Sequence, residues 1–145
     1  MEEIAALAGG IAGKKEVIRG GEYGTHPIPW PYSHGVKIGN VLFIAGQIAF
    51  DNDLNIVGDG DPVEQTRQVW RNIEKICVGA GGKVTDIVRV LTWLADIDDM
   101  DAVLEVRREF FPDGDYPVAS MFEAQKMGAP GLLLETEAVA VIGCS

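Results

Sequence analysis

The pattern of apolar and polar residues first becomes regular in residues 36–50. Val36-Lys37-Ile38 and the run that starts at Val41 alternate between apolar and polar positions, and Gly39-Asn40 separates them. Alternation with a period of two is typical of strands, and a Gly-Asn pair between two such runs is typical of a tight turn. We therefore expect a hairpin of two strands in this segment.

The next periodic segment predicts a helix with a clear start and end. Asp61 can cap the helix, Pro62 suits its first position, and Glu64 completes a capping box. Apolar residues then recur at helical spacing as far as Cys77. The glycine-rich segment 79–82 ends the helix.

Three strands and a second helix are predicted in the remainder of the chain. Residues 84–97 are rich in Val, Ile, Thr and Trp and are apolar on both faces, which predicts a central strand covered on both sides. A second helix begins near Asp98 and is stopped by Pro112. Residues 117–125 and 132–142 predict the last two strands.

The predicted order β-β-α-β-α-β-β is that of an α+β protein with its helices on one face of a sheet. Because the central strands are apolar on both sides, the other face must also be buried, and self-association would bury it. Residues 1–13 predict a short helix interrupted by Gly9-Gly10. We assign residues 1–22 to an N-terminal appendage and residues 23–145 to a single domain.

Composition changes this picture by excluding some classes of function. A formal net charge of −10 disfavours nucleic acid, including a nuclease role, because phosphates require a basic patch. No apolar run reaches the roughly 18 residues of a membrane span, and Met1-Glu2-Glu3 lacks the positive start of a signal peptide. We expect a cytoplasmic protein with no membrane contact. Cys77 and Cys144 have no zinc-ligand spacing, so no metal site is expected.

Short motifs in order along residues 28–142 resemble those of the YjgF/RidA family, and the chain is identified as a member. The motifs are Pro31-Tyr32-Ser33-His34-Gly35-Val36, Gly39-Asn40, Ala45-Gly46-Gln47-Ile48, Glu64-Gln65-Thr66-Arg67-Gln68, Asn72-Ile73, Ala80-Gly81-Gly82, Leu94-Ala95-Asp96-Ile97, Phe110-Phe111 and Leu134-Glu135-Thr136-Glu137. The resemblance implies a chorismate-mutase-like fold, in which a mixed six-stranded sheet carries two helices on one face. It also implies a homotrimer with three clefts between subunits, a small-molecule substrate, no metal and no cofactor.

Deaminases of this family hydrolyse enamines and imines, such as 2-aminoacrylate, to ketoacids and ammonia. Their hallmark arginine follows Pro-Ala, precedes Ser, and grips the substrate carboxylate with a bidentate pair. Here that position holds Ala119. Other positions of the family's cleft have also changed. Ala45 occupies the position of a serine in the family, Leu104 that of an asparagine used by some deaminases, and Met121 that of a cysteine or threonine.

The resemblance retains Tyr32, whose counterpart lines the cleft, Gly46 of the Gly-Gln-Ile motif, and Glu135, whose counterpart positions the attacking water. Independently of the resemblance, the alternation of side chains along the last predicted strand, residues 132–142, places Glu135 and Glu137 on one face among apolar neighbours. Burial raises the pKa of a carboxyl group, which suits general acid-base catalysis. Glu135 could activate water, or it could be a structural carboxylate that accepts hydrogen bonds. For Glu137 we favour the structural role.

Two further residues are candidates for substrate binding. His34 lies near Tyr32 in the chain and titrates near neutral pH, although a surface or interface histidine is the favoured interpretation. Arg107 lies one helical turn after Leu104, where it could supply the missing anion clamp from another direction. A solvated or inter-subunit salt bridge is favoured for it.

The replacements at Ala45, Leu104, Ala119 and Met121 together predict an apolar cleft. An uncharged or aromatic substrate then fits better than a small imino acid. Our leading hypothesis is a cofactor-independent hydrolase of the deaminase type that acts on an enamine, imine or related C–N bond. The alternative is a non-catalytic trimer that binds a small molecule or a partner protein.

Overall fold

The computed structural model describes residues 11–145, whose strands form one mixed sheet. The strands are β1 (Glu16–Ile18), β2 (Gly35–Ile38), β3 (Val41–Gln47), β4 (Ile87–Leu94), β5 (Val118–Glu123) and β6 (Leu134–Val141), and the helices are α1 (Pro62–Gly79) and α2 (Met100–Phe110). The strand order is β1-β2-β3-β6-β4-β5. The β4–β5 pair is parallel and the other pairs are antiparallel. The predicted α+β fold with a mixed six-stranded sheet is thus confirmed.

Strand β1 was not predicted from the sequence. Its residues, 16–18, lie within the segment that we assigned to an N-terminal appendage, yet they pair with Gly35–Lys37 of β2 as the edge of the sheet. A strand of three residues is too short to produce the alternation that identifies longer strands. The helix predicted for residues 1–13 falls mostly on residues 1–10, which lie outside the described part of the chain.

The start of helix α1 follows the prediction in part. Asp61 Oδ1 accepts hydrogen bonds from the backbone N–H groups of Val63 (3.0 Å) and Glu64 (3.2 Å), and Pro62 occupies the first turn. The predicted capping box is wrong in its second half. The Glu64 carboxylate pairs with Arg67 instead, and the Asp61 N–H donates to the Gly58 carbonyl at 3.0 Å.

The core lies between the sheet and the two helices. Residues of α1 that are buried, such as Trp70 and Ile73, pack over β3 and β6, where Leu42 and Ala140 are fully buried. Helix α2 packs on α1, and the ring centroids of Trp70 and Phe110 are 5.7 Å apart. One face of the sheet is therefore covered within a single chain.

The opposite face of the sheet, here called the open sheet face, is not covered within one chain. It carries Phe43, Trp93 and Phe122, whose exposed fractions are 44%, 37% and 53%, together with the partly buried Val139. Phe43 is paired with Val139, and Trp93 with Phe122, across neighbouring strands. The predicted covering of the central strands on both sides thus does not hold for a single chain.

Within residues 11–145, no helix has both the length and the apolar character that crossing a bilayer requires.

Candidate functional site

A cavity of about 480 Å³ opens beside the end of β3 and the start of β6. It is lined by Trp30, Tyr32, Ala45, Gly46, Ile48, Phe50, Gly128, Ala129, Leu132 and Glu135. The structure thus brings together four residues that the sequence analysis proposed for the site: Tyr32, Ala45, Gly46 and Glu135. The apolar walls that Trp30, Phe50 and Leu132 provide were not predicted.

A β-bulge shapes the floor of this cavity. The pairing of β3 with β6 shifts between Ile44, which faces Ala138, and Gln47, which faces Thr136, so that β3 carries one extra residue. Ala45 and Gly46 lie in this bulge, and bulges redirect the chain next to functional sites. A Cβ atom on Gly46 would lie 2.8 Å from Cδ of Glu135 and closer still to Oε1. Glycine is therefore required for the Glu135 carboxyl group to occupy its position.

Glu135 is a half-buried carboxylate that faces this cavity. Its pKa is raised, first by desolvation and then by the negative charge of Glu137. It accepts no hydrogen bond from the residues of the described chain, which argues against a purely structural carboxylate. A carboxyl group in this state can bind and release a proton at higher pH than an exposed one.

Tyr32 lines the same cavity as Glu135 and is about half exposed. Its pKa is raised by burial and then by the charge of Glu135. The phenol therefore stays protonated and can donate a hydrogen bond to a ligand near the carboxylate.

Gln65 of α1 holds one wall of the cavity in place. Its Nε2 donates to the carbonyl oxygens of Gly58 (3.1 Å) and Gly131 (2.9 Å), and its Oε1 accepts from the Leu133 N–H at 2.9 Å. The side chain is fully buried. These bonds fix the segment 128–133, which contributes three lining residues.

Asn72 fixes a second part of the lining, at Ile48 and Phe50, in a similar way. Its Nδ2 donates to the carbonyl oxygens of Ile48 and Phe50, each at 3.0 Å. Gln68 donates to Asn72 Oδ1 at 3.0 Å. Sequence analysis cited these polar residues only as motif matches. Their spacing of three and four positions on the apolar side of a helix was a signal that they are buried and bind backbone groups.

His34 does not line the cavity. It is 1% exposed, its Nε2–H donates to the His26 carbonyl at 2.9 Å, and its Nδ1 accepts from Gln47 Nε2 at 3.2 Å. Burial lowers the pKa of His34, although the hydrogen bond to the His26 carbonyl opposes the shift. The neutral ring orders the segment that carries Trp30 and Tyr32.

Four other candidate residues lie elsewhere in the single chain. Leu104 and Arg107 line a second, separate cavity. Ala119 and Met121 of β5 pair with Val90 and Thr92 of β4, whose side chains point to the helix-covered face, and Met121 packs against the core. Their binding roles remain predictions that depend on a neighbouring subunit. Among residues 11–145 there is no cluster of His, Cys, Asp and Glu side chains with the makings of a metal site.

Comparisons with known proteins agree with this architecture. The family model described as Endoribonuclease L-PSP matches residues 26–142. A RutC family protein of Pyrococcus abyssi is 36% identical over 110 residues, which cover 76% of this chain and 85% of that protein. The human 2-iminobutanoate/2-iminopropanoate deaminase is 30% identical over 113 residues, with coverages of 78% and 81%.

A solved structure gives the same result in three dimensions. The crystal structure of a Rid family protein of unknown function from Yersinia pestis superposes with a TM-score of 0.81 at 27% identity, and the match covers 89% of this chain and 100% of that chain. The fold, the cavity motifs and these matches agree with the resemblance found in the sequence. The chain belongs to the YjgF/RidA family.

Proposed function

We propose that this protein is a cofactor-independent hydrolase of the deaminase type, which acts on an imine, enamine or related C–N bond in the cavity that contains Glu135. The observation that carries the proposal is the Glu135 carboxyl group itself. It is half-buried in a largely apolar cavity, has a raised pKa, and shares the cavity lining with Tyr32. The activity of the human relative, a 2-iminobutanoate/2-iminopropanoate deaminase, supports the reaction type.

The reaction requires one group that first accepts and then donates a proton. As the water oxygen attacks the imine carbon, Glu135 takes a proton from the water and passes it to the nitrogen, so that a neutral carbinolamine forms. Glu135 then takes the proton of the carbinolamine hydroxyl and delivers it to the nitrogen, the C–N bond breaks, and ammonia leaves as the carbonyl group forms. A carboxyl group with a raised pKa suits both steps, because its two protonation states are closer in energy near neutral pH. The Tyr32 hydroxyl donates a hydrogen bond to the oxygen or nitrogen of the intermediate.

The lining of the cavity favours an uncharged substrate. No arginine or lysine is among its lining residues, and the position of the family's arginine holds Ala119. A carboxylate placed there would lose its water without gaining a cationic partner. A volume of about 480 Å³ lies within the range of small-molecule sites. We therefore propose a small aliphatic or aromatic imine without a carboxylate as the substrate.

The cavity also borders the open sheet face, which supports an inter-subunit site. Glu135 is the cross-strand neighbour of Trp93, one of the exposed aromatic residues of that face. We propose that the protein is a homotrimer in which the open sheet face is buried. In that arrangement a neighbouring subunit closes the cavity and brings Leu104, Ala119 and Met121 to it.

The test measures ammonia release from imines that are generated in the assay. An amine oxidase acting on benzylamine supplies an uncharged aromatic imine, and an amino-acid oxidase supplies 2-iminobutanoate. We expect the protein to accelerate hydrolysis of the aromatic imine well beyond the spontaneous rate, and of the imino acid only weakly. Rapid hydrolysis of the imino acid would contradict the proposed substrate class.

Two glutamates on one strand provide a matched pair of variants. Glu135→Gln should lower the rate by about 10²-fold or more, because the amide cannot exchange the proton. Glu137→Gln removes the same charge from the same face of β6 but not from the cavity lining, so most of the activity should remain. If Glu135→Gln keeps full activity, the catalytic assignment is wrong. If no imine is hydrolysed while aromatic ligands bind, the protein is a non-catalytic binding protein.

A further inference from the structure

His34 connects the bulge of β3 with the segment that precedes β2, and both contribute lining residues to the cavity of Glu135. Its backbone N–H donates to the Ile18 carbonyl, and its own carbonyl accepts from the Ala45 N–H, each at 2.9 Å. Its ring contacts the His26 carbonyl at 2.9 Å and Gln47 Nε2 at 3.2 Å. These four hydrogen bonds tie one buried residue to β1, to β3 and to the preceding segment.

The contacts of the His34 ring determine where its proton lies. Nε2 faces the His26 carbonyl oxygen, which can only accept, so Nε2 carries the hydrogen. In the neutral ring Nδ1 is then an acceptor, and Gln47 directs its NH2 group towards it. The same NH2 group also donates to the Ala45 carbonyl at 3.1 Å. A neutral His34 therefore orients the Gln47 amide, and this amide holds the bulge through Ala45.

The other end of the Gln47 amide has no partner in residues 11–145. Gln47 is 1% exposed, and its Oε1 atom is buried and accepts no hydrogen bond there. A buried acceptor without a donor is unfavourable. The reverse orientation would place Oε1 opposite Nδ1 of His34 and the Ala45 carbonyl, which are acceptors as well. The orientation of this amide therefore depends on whether Nδ1 of His34 accepts or donates.

Within the described chain, no acidic side chain compensates a positive charge on His34. Around it, β1 contributes a backbone carbonyl, β3 contributes Gln47 and the backbone of Ala45, and the preceding segment contributes His26, whose ring centroid is 4.5 Å away. Burial lowers the pKa of His34, the hydrogen bond to the His26 carbonyl opposes this shift, and the charge of His26 lowers the pKa further. The surroundings of the ring thus favour its neutral form.

We propose that His34 and Gln47 are positioning residues that hold the bulge of β3 in its active form only while the His34 ring is neutral. This inference rests on the proposed function, because imine hydrolysis defines the active form. A proton on Nδ1 turns this atom into a donor that faces the Gln47 NH2 group. Half a turn of the amide brings Oε1 to Nδ1–H and gives the unpaired oxygen a donor. The same rotation deprives the Ala45 carbonyl of its N–H partner.

A displacement of Ala45 reaches the reacting group through the next residue. Gly46 lies in the same bulge, and a Cβ atom on it would lie 2.8 Å from Cδ of Glu135. A shift of the bulge therefore changes the space that the Glu135 carboxyl group occupies. In this way a proton on His34, which lies outside the cavity, alters the position of the carboxyl group that we assign to the reaction.

The first experiment compares the pH dependence of imine hydrolysis in the unaltered protein and in His34→Gln. The glutamine offers an acceptor oxygen to Gln47 and an N–H donor to the His26 carbonyl, but it does not titrate. It should keep most of the activity at about pH 8, where histidine is neutral. Glu135 and the substrate titrate in both reactions, so their effects cancel in the ratio of the two kcat/KM values.

The sign of the expected change follows from the lowered pKa of His34. The ratio of kcat/KM, unaltered protein over His34→Gln, should be constant above the ordinary histidine pKa of 6.5 and should fall below it. The fall should approach about tenfold for each pH unit below the folded-state pKa of His34, because a single proton inactivates the site.

His26→Gln is the matched control. His26 is also buried, at 4% exposed, and its Nδ1–H donates to the Pro27 carbonyl at 3.0 Å, without a hydrogen bond from its ring to Gln47. This variant should keep the acid dependence of the unaltered protein. If His26→Gln removes that dependence and His34→Gln does not, the assignment to His34 is wrong.

The second experiment needs no substrate and uses the unaltered full chain. Nuclear magnetic resonance of the histidine ring and glutamine amide nitrogens should show His34 protonated on Nε2 alone at about pH 8. As the pH falls, the signals of the Gln47 NH2 group should shift together with that of His34 Nδ1. The protection of the Ala45 amide, which donates to the His34 carbonyl, should decrease over the same range.

Three outcomes would overturn the proposal. They are a constant ratio of kcat/KM at all pH values, a proton on Nδ1 of His34 at about pH 8, and a titration of His34 that leaves Gln47 and Ala45 unchanged. The last would make His34 a structural residue only. Absence of any imine hydrolysis would instead contradict the proposed function, and the resonance titration would still decide whether His34 controls the bulge.

Discussion

At the scale of single residues, the close approach of Gly46 and Glu135 governs the candidate site. The space that a methyl group on Gly46 would take is already filled by the Glu135 carboxyl group. The match to the family's Gly-Gln-Ile motif marks this glycine, but only the bulge in β3 explains it. The glycine is therefore a part of the site although it has no side chain.

We predict that Gly46→Ala will move the carboxyl group of Glu135 and lower the rate of imine hydrolysis by about 10²-fold, as expected for a misplacement of about 1 Å. Gly128→Ala adds the same methyl group to the same cavity, and its Cβ meets no atom within 4 Å. Its effect should be far smaller. Steady-state kinetics of the two variants measure the difference, and equal losses would show that the contact between Gly46 and Glu135 is not important.

The raised pKa of Glu135 also predicts a dependence of stability on pH. Because the folded protein binds this proton more tightly than the unfolded chain does, the stabilisation is complete below the ordinary pKa of 4.5. It is lost as the pH rises through the folded-state pKa. We predict that Glu135→Gln is more stable than the unaltered protein at pH 7 and that this advantage is smaller below pH 4.5.

Urea unfolding of both proteins across this range measures the two free energies. A Glu135→Gln variant that is destabilised at pH 7 would indicate that the carboxylate has a structural partner. Together with the activity assay, this measurement separates a catalytic carboxylate, which reduces stability, from a structural one, which increases it.

At the scale of elements, α1 does more than cover the sheet. Gln65 and Asn72 reach from its buried side to the backbone of two segments that line the cavity. We predict that Gln65→Met, which preserves volume, leaves the Gly131 carbonyl and the Leu133 N–H without the partner that Gln65 supplies, whereas the Gly58 carbonyl keeps its bond from the Asp61 N–H. The substitution should cost about 1–3 kcal/mol of unfolding free energy.

The same substitution should loosen the segment 128–133 and raise KM more than it lowers kcat, because that wall contacts the substrate and not the reacting proton. Hydrogen exchange of the Leu133 amide, whose N–H donates to Gln65, reports the loosening directly. Glu105→Gln, at an exposed position of α2, is a control that should change neither quantity. Unchanged protection of Leu133 in Gln65→Met would contradict this role.

Elements were predictable where their signals are local. The order of the helices and longer strands and the Asp61 cap with Pro62 follow from spacing and side-chain chemistry, and the structure confirms them. Strand β1 was missed because three residues carry too little periodicity. The second half of the capping box was wrong because Arg67, one turn along the helix, offers Glu64 a charged partner.

At the scale of the whole molecule, the open sheet face supports our proposal that the functional unit contains more than one chain. Phe43, Trp93 and Phe122 project from β3, β4 and β5 and are not covered within the described chain. We predict a mass three times that of the chain by light scattering. Trp93→Asp should dissociate the assembly and abolish hydrolysis, because a buried carboxylate without a partner is strongly unfavourable.

The control is Val78→Asp, which places the same charge at an exposed apolar residue of α1, with 62% of Val78 exposed. This variant should retain both the assembly and the activity. A monomeric unaltered protein would contradict the trimer and with it the closing of the cavity by a neighbour.

The amino-acid sequence by itself determined the family, the order of the predicted elements and the identity of Glu135 as a candidate, because each of these depends on short motifs and local periodicity. Only the tertiary structure decided which of the candidate site residues line the same cavity. It placed Tyr32, Gly46 and Glu135 around one cavity, buried His34 between the His26 carbonyl and the Gln47 side chain, and placed Arg107 at a different cavity. Such distances depend on strand order and on one extra residue in β3, and these arise from packing between segments far apart in the chain.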